Sequence, residues 1–212
     1  MTKPFGTWRF LLIVFLLPFV AYGTMVWYEN KFQQLPLYGA EEIKDGKRSI
    51  HSIGHFELVN QDGAQYGSDS WNGKIAVVDF FFTHCPNICP KMTSSLKKVQ
   101  QAYANNNKIV INSISVDPEH DSVPQLKKYA NRFGIDTENW SLLTGDKKDI
   151  YKLARNEFMI VASDGDGGTE DFIHSEKLVL IDQQRRIRGY YDGTNKQKVD
   201  QLIHDIKKLE NE

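Results

Sequence analysis

The chain is short of cysteine, of net charge and of repetition. Two cysteines in 212 residues are too few for a disulfide framework. Lys and Arg number 26 against 27 Asp and Glu, a formal net charge of −1 spread along the chain, and this removes the electrostatic case for a nucleic-acid partner. There is no internal repeat of solenoid length, no low-complexity tract, no phosphate-binding glycine loop and no Ser/His/Asp motif. At 41% hydrophobic and 25% charged, the composition fits one globular domain with an appendage.

The appendage is the first thirty residues. Phe10 to Tyr28 runs 19 positions without a charge, and as a helix this reaches about 28 Å, close to a bilayer core. Trp8 and Trp27-Tyr28 frame it, so residues 8–28 are expected to meet a membrane. Lys3 and Arg9 precede the run, which puts the rest of the chain on the extracytoplasmic, periplasmic side. The competing reading is a cleaved signal peptide, with Ala21-Tyr22-Gly23 at the spacing of a cleavage site. No cysteine follows the span closely enough for lipid attachment. The expected organisation is an anchor over 1–29, a linker over 30–50 and a folded domain over 51–212.

Both cysteines fall in Thr83-His84-Cys85-Pro86-Asn87-Ile88-Cys89-Pro90, directly after the apolar run Ile75 to Phe82. A loop this short gains little from a structural bridge. At i and i+4 of a helix the Cα atoms stand roughly 6 Å apart, toward the long end of disulfide geometry, so a bridge here should be reversible. Pro86 favours an extended Cys85, and Pro90 is tolerated only near a helix start. N–H groups at that start favour thiolate over thiol. Compared with a CxxC redox turn, the extra residue suits two ligands on one metal better than rapid disulfide cycling.

The remaining pattern is α/β. Ile75–Phe82 has almost no polar face, as expected of a central strand covered on both sides. Met92, Leu96, Val99 and Tyr103 recur at helical spacing; Ile109–Val116 is the next strand. Ser122 and Pro124 open a second helix that Gly134 ends. A short strand over Trp140–Leu143, a short helix over Asp146–Arg155, a hairpin of Leu178–Asp182 with Ile187–Asp192, and a helix over Asn195–Leu209 complete the order.

Two thiolates need a third donor to make a metal site. His204 falls on the polar side of the last helix, His51 and His55 lie near the linker, and His120 belongs to a turn entering a helix. His84 adjoins Cys85, where neighbours point to opposite faces. His174 is better placed, closing the acidic glycine-rich loop 163–171 ahead of a strand. That loop lacks the ligand set of a calcium site. Cys85, Cys89 and a neutral imidazole form a soft donor set, of a kind that also suits Zn(II), so redox and soft-metal chemistry both stay open.

Three segments, Phe82 to Pro90, Ser115-Val116-Asp117-Pro118-Glu119-His120-Asp121, and His174-Ser175 followed by Leu180-Ile181-Asp182, resemble the signatures of the SCO/SenC family of membrane-anchored thioredoxin-like proteins. The resemblance covers residues 50–210. It implies a thioredoxin-like sandwich with a central mixed sheet, and copper held by Cys85, Cys89 and His174, a set that suits Cu(I), or Cu(II) when further ligands or water join. It also implies a role in assembly of the binuclear copper centre of cytochrome c oxidase, with an oxidase subunit or another copper chaperone as partner. Asn87 and Ile173 stand where many members carry Asp, which removes negative charge but no ligand.

Two functions follow from these residues. One is a copper metallochaperone, which is not an enzyme in the usual sense. The other is a thiol:disulfide oxidoreductase in which Cys85 or Cys89 attacks a partner disulfide and the other resolves it. A thiol peroxidase is disfavoured, because Thr83 lies two residues before Cys85.

Overall fold

The computed structural model describes residues 7–32, 34–39, 41–44, 47–160 and 175–212. They divide into two units, one ending at Gln34 and one spanning Leu35–Glu212. The first is helix α1, Thr7–Phe32. Its window Leu11–Tyr28 has a mean hydropathy of 2.0, is buried nowhere, and is long and apolar enough to cross a membrane. Many of its Leu, Ile, Phe and Trp side chains are exposed.

The stretch 30–50, expected to be a linker, contains an antiparallel hairpin, β1 (Glu41–Lys44) with β2 (Lys47–Ile50). Strands of four residues are too short to impose a visible period on a charged sequence. Next come β3 (Glu57–Asn60) and β4 (Gln65–Gly67), joined by the turn Gln61-Asp62-Gly63-Ala64 with Gly63 at φ 79°, and neither strand was assigned from the sequence.

From there the expected elements appear in the expected order. They are β5 (Ile75–Phe81), α2 (Ile88–Ala102), β6 (Ile109–Ser115), α3 (Val123–Phe133), β7 (Trp140–Thr144), α4 (Lys147–Lys152), β8 (Lys177–Ile181), β9 (Ile187–Asp192) and α5 (Lys196–Leu209). Gly134, at φ 58°, ends α3 in the left-handed conformation. Asp146 and Asn195 cap α4 and α5 by accepting backbone N–H groups. Ser122 occupies the cap position of α3 without a side-chain capping bond. A π-turn over Leu153–Glu157 extends α4.

Seven strands make one mixed sheet in the order β4-β3-β7-β6-β5-β8-β9. β5, β6 and β7 are parallel neighbours, and the other pairings are antiparallel. Every residue of β5 and β6 is buried, as a central strand covered on both faces requires. Period-2 alternation sorts them: Ile75, Val77 and Phe81 join the core under α2, α3 and α5. Ala76, Val78 and Phe80 join the other core, under α4 and the segment that carries Phe56 and Trp71. The fold is the thioredoxin-like mixed-sheet sandwich expected, and the C-terminal end of β5 delivers the chain to the cysteines.

Candidate metal centre

After β5 the chain makes a turn closed by the Cys85 N–H donating to the Phe82 carbonyl at 3.3 Å, with Thr83 and His84 as its central residues. Pro86 and Asn87 then lead into α2, whose second residue is Cys89 and whose third is Pro90. The prolines thus sit where the sequence placed them, one outside the helix and one in its first turn.

The two sulfurs differ sharply. Cys85 is partly buried and Cys89 is 5% exposed; both are free thiols. The Cys89 N–H donates to the Cys85 sulfur at 3.4 Å. Burial alone would raise the Cys85 thiol, but N–H groups of Cys89, Asn87 and Ile88 and the Cys89 thiol hydrogen-bond its sulfur and hold it below the ordinary thiol value. Burial pushes Cys89 up to about 12; the Phe82 backbone opposes this, while the negative charges of Cys85 and Asp79 add to it. The shifts run in opposite directions, so Cys85 is the more acidic and more reachable thiol and Cys89 the protonated, sheltered one. Such a pair can attack and resolve a disulfide, or close on one soft ion once the second proton leaves.

Beside the pair lies a mainly apolar cavity of about 220 Å³, walled by Phe80, Phe82, Pro86 and Val116 and bordered by Ser175. His174, the expected third donor, lies outside the described residues, but its chain neighbour reaches the same cavity. Among the described residues no group of three His, Cys, Asp or Glu side chains is arranged to hold a metal.

Of the other histidines, two share one carboxylate. His84 pairs with the Asp117 carboxylate at 3.6 Å, and His120 meets the same carboxylate at 2.9 Å, which raises the His120 pKa. His51 is bonded to the Glu157 carbonyl, His55 is within 3.3 Å of the Ser68 hydroxyl, and His204 is exposed. Asn87, one of the departures from the family pattern, is also exposed; Ile173, the other, lies outside the described residues.

Sequence reasoning missed two buried carboxylates around the cysteines. Asp79 of β5 is 2% exposed and accepts a hydrogen bond from the Ser113 hydroxyl, its register partner on β6, at 2.5 Å. Burial raises its carboxyl to about 7 despite that bond. Asp121 is fully buried and bonded to Thr83 and Ser115. The available signal for Asp79 was one acid inside an otherwise apolar strand; for Asp121 it was membership of the Ser115–Asp121 segment.

The family model described as SCO1/SenC matches residues 44–211. A protein of Bacillus subtilis (strain 168) named "SCO1 protein homolog" is 32% identical over 171 residues, 80% of this chain and 87% of that protein. The crystal structure of a SCO1/SenC family lipoprotein from Bacillus anthracis str. Ames superposes with a TM-score of 0.67 at 33% identity, covering 76% of this chain and 95% of that one. BsSco, described with a disulfide switch and as a member of the Sco family of cytochrome c oxidase assembly proteins, gives 0.66 at 31% identity, covering 76% and 94%. Copper-bound ScoI of Bradyrhizobium japonicum gives 0.60 at 25% identity, covering 76% and 99%. With most of its length matched by the family model, and with the thiol turn, the mixed sheet and these relatives in agreement, the chain belongs to the SCO1/SenC family.

Proposed function

We propose that this chain binds copper through Cys85, Cys89 and His174 and delivers it during assembly of cytochrome c oxidase, at the binuclear copper centre. The observation that carries the reading is the tuned thiol pair at the start of α2, with Cys85 held toward thiolate by backbone N–H groups and Cys89 sheltered four residues on. Two sulfurs and one imidazole favour Cu(I) over harder ions. The copper-bound Bradyrhizobium relative supports copper as the ion, and the cavity bordered by Ser175 supports His174 as the third donor. Loading replaces the Cys89 proton, so uptake releases it to solvent.

The apolar α1 is the membrane anchor, and the basic residues Lys3 and Arg9 ahead of it keep the folded unit outside the cytoplasm. The partner is an oxidase copper-centre subunit or a second copper chaperone. That reading is supported by BsSco, described as belonging to a family of oxidase assembly proteins.

The asymmetry of the pair also favours a second reading, thiol:disulfide exchange. There the Cys85 thiolate attacks a partner disulfide, the partner leaves as one thiolate, and Cys89 displaces the second as Cys85–Cys89 becomes a disulfide. His174→Ala separates the two. Copper transfer predicts that the variant loses stable Cu(I) binding while exchange with a small disulfide stays largely intact. Tight copper binding without His174 contradicts the three-donor site.

A further inference from the structure

The segment Ser115–Asp121 contains no donor assigned to copper, yet it packs its most deeply buried charge directly on the cysteine turn. Asp121 is 0% exposed. One of its oxygens accepts the Thr83 N–H at 3.0 Å and the Ser115 hydroxyl at 2.6 Å; the other accepts the Thr83 hydroxyl at 2.5 Å. Ser115 also accepts the Asp117 N–H at 3.1 Å, and the Asp121 N–H donates to the Asp117 carbonyl at 2.8 Å, so the segment folds back on itself to aim this carboxylate inward. The Val116 N–H donates to the Phe81 carbonyl and keeps the segment alongside the end of β5. Gln125 of α3 reaches the Thr83 hydroxyl from the helix that follows. From outside, the Asp117 carboxylate faces His84, the other central residue of the turn.

Among the described residues, every group bonded to Asp121 is a neutral donor. A buried carboxylate held only by neutral donors is expensive unless each bond is good, and a neutral side chain would fill the space more cheaply. Thr83 and His84 are the two central residues of the turn whose fourth residue is Cys85. Fixing Thr83 by both its backbone and its side chain therefore fixes the direction in which Cys85 leaves the turn.

We propose that Asp121 is a positioning residue for the thiol pair: by clamping Thr83 it holds the Phe82–Cys85 turn in the one conformation that brings the Cys85 sulfur to the Cys89 N–H. This rests on Cys85 and Cys89 being the working pair of the proposed function, whether for copper or for exchange. Without the clamp the turn gains freedom and the Cys85 sulfur spends less time against the N–H groups of α2, so the pair is less often in its reactive arrangement. Copper then meets a pair of donors that must first be brought together.

The test uses the reduced, copper-free full chain in detergent. The rate of iodoacetamide alkylation at pH 7 reports Cys85, since Cys89 is buried, and the thermal midpoint is read in parallel. Thr83→Ser keeps both bonds to Asp121 and should alkylate at the wild-type rate. Thr83→Val loses the hydroxyl bond and should be about threefold to fivefold slower, while Asp121→Ala loses the whole clamp and should be about tenfold slower. Asp121→Asn removes the charge but keeps the shape and an acceptor for the Thr83 N–H, so it falls between Thr83→Ser and Asp121→Ala. Cu(I) affinity should follow the same order.

Wild-type alkylation rates in Thr83→Val and Asp121→Ala, with only the thermal midpoint lowered, would overturn the proposal. Faster alkylation in both Asp121 variants would also overturn it, by showing that the carboxylate acts through its charge. If Asp121→Ala does not fold, the Thr83 pair decides alone. A wild-type chain that takes up no Cu(I) removes the copper reading, and the alkylation order still tests the clamp.

Discussion

Two buried polar clusters in this molecule handle charge in opposite ways. At the start of β9, Arg188 is 3% exposed and lies between carboxylates: 3.1 Å from Asp182 and bidentate on Glu212 at 2.7 and 2.9 Å. It also donates to the carbonyls of Leu35 and Pro36, and so ties the first residues of the folded unit to the last. Every charge there has an opposite beside it. Around the cysteines, Asp121 and Asp79 are equally buried, and among the described residues only neutral donors are bonded to them. Where the fold needs a staple, charge is compensated; around the cysteines two buried carboxyls are held, among the described residues, by neutral donors alone, and one of them, Asp79, adds to the rise of the Cys89 thiol.

Breaking the compensated cluster should give the largest change in stability. Arg188→Ala leaves Asp182 with Arg186 as its ion-pair partner, removes the bidentate bond to Glu212, and should reduce unfolding free energy by about 2–3 kcal/mol in urea titrations. Cys85 alkylation should stay at the wild-type rate. Alkylation slowed as much as in Asp121→Ala would mean that the two clusters are not functionally distinct.

A smaller effect should come from Asp79. Its folded carboxyl titrates near 7, above the ordinary 3.8. Between those values the folded chain keeps a proton that the unfolded chain has released. Its contribution to stability is therefore present at low pH and is lost as pH rises through about 7. Asp79→Asn should remove that slope and raise the thermal midpoint at pH 8 by about 2–4 °C, with little change at pH 4. Parallel curves for both proteins across pH would show that Asp79 is compensated after all, and the comparison would fail on that side.

Most of what places the site was legible in the sequence, because it rests on local rules. The Cys–Pro spacing fixed the turn and helix start, the apolar run Ile75–Phe82 marked a central strand, and Gly134 marked a helix end. The hairpin 41–50 and strands β3 and β4 were not legible: they are three or four residues long, and pairing supplies what period cannot. Asp121 was out of reach for a different reason. Its role depends on a contact with Thr83, 38 positions away in sequence, which exists only once β5 and β6 lie in register. The third donor stands between these cases, since His174 was singled out from its position and from family resemblance, and the described residues bring only Ser175 to the cavity.

The most direct test of the account is an anaerobic Cu(I) titration of the reduced full chain in detergent, with X-ray absorption used to count the ligands. One copper per chain bound by two sulfurs and one nitrogen, with the nitrogen lost in His174→Ala, is the predicted result. Four sulfurs per copper would mean a site shared between two chains, and would contradict the assignment of Cys85, Cys89 and His174 as one complete set.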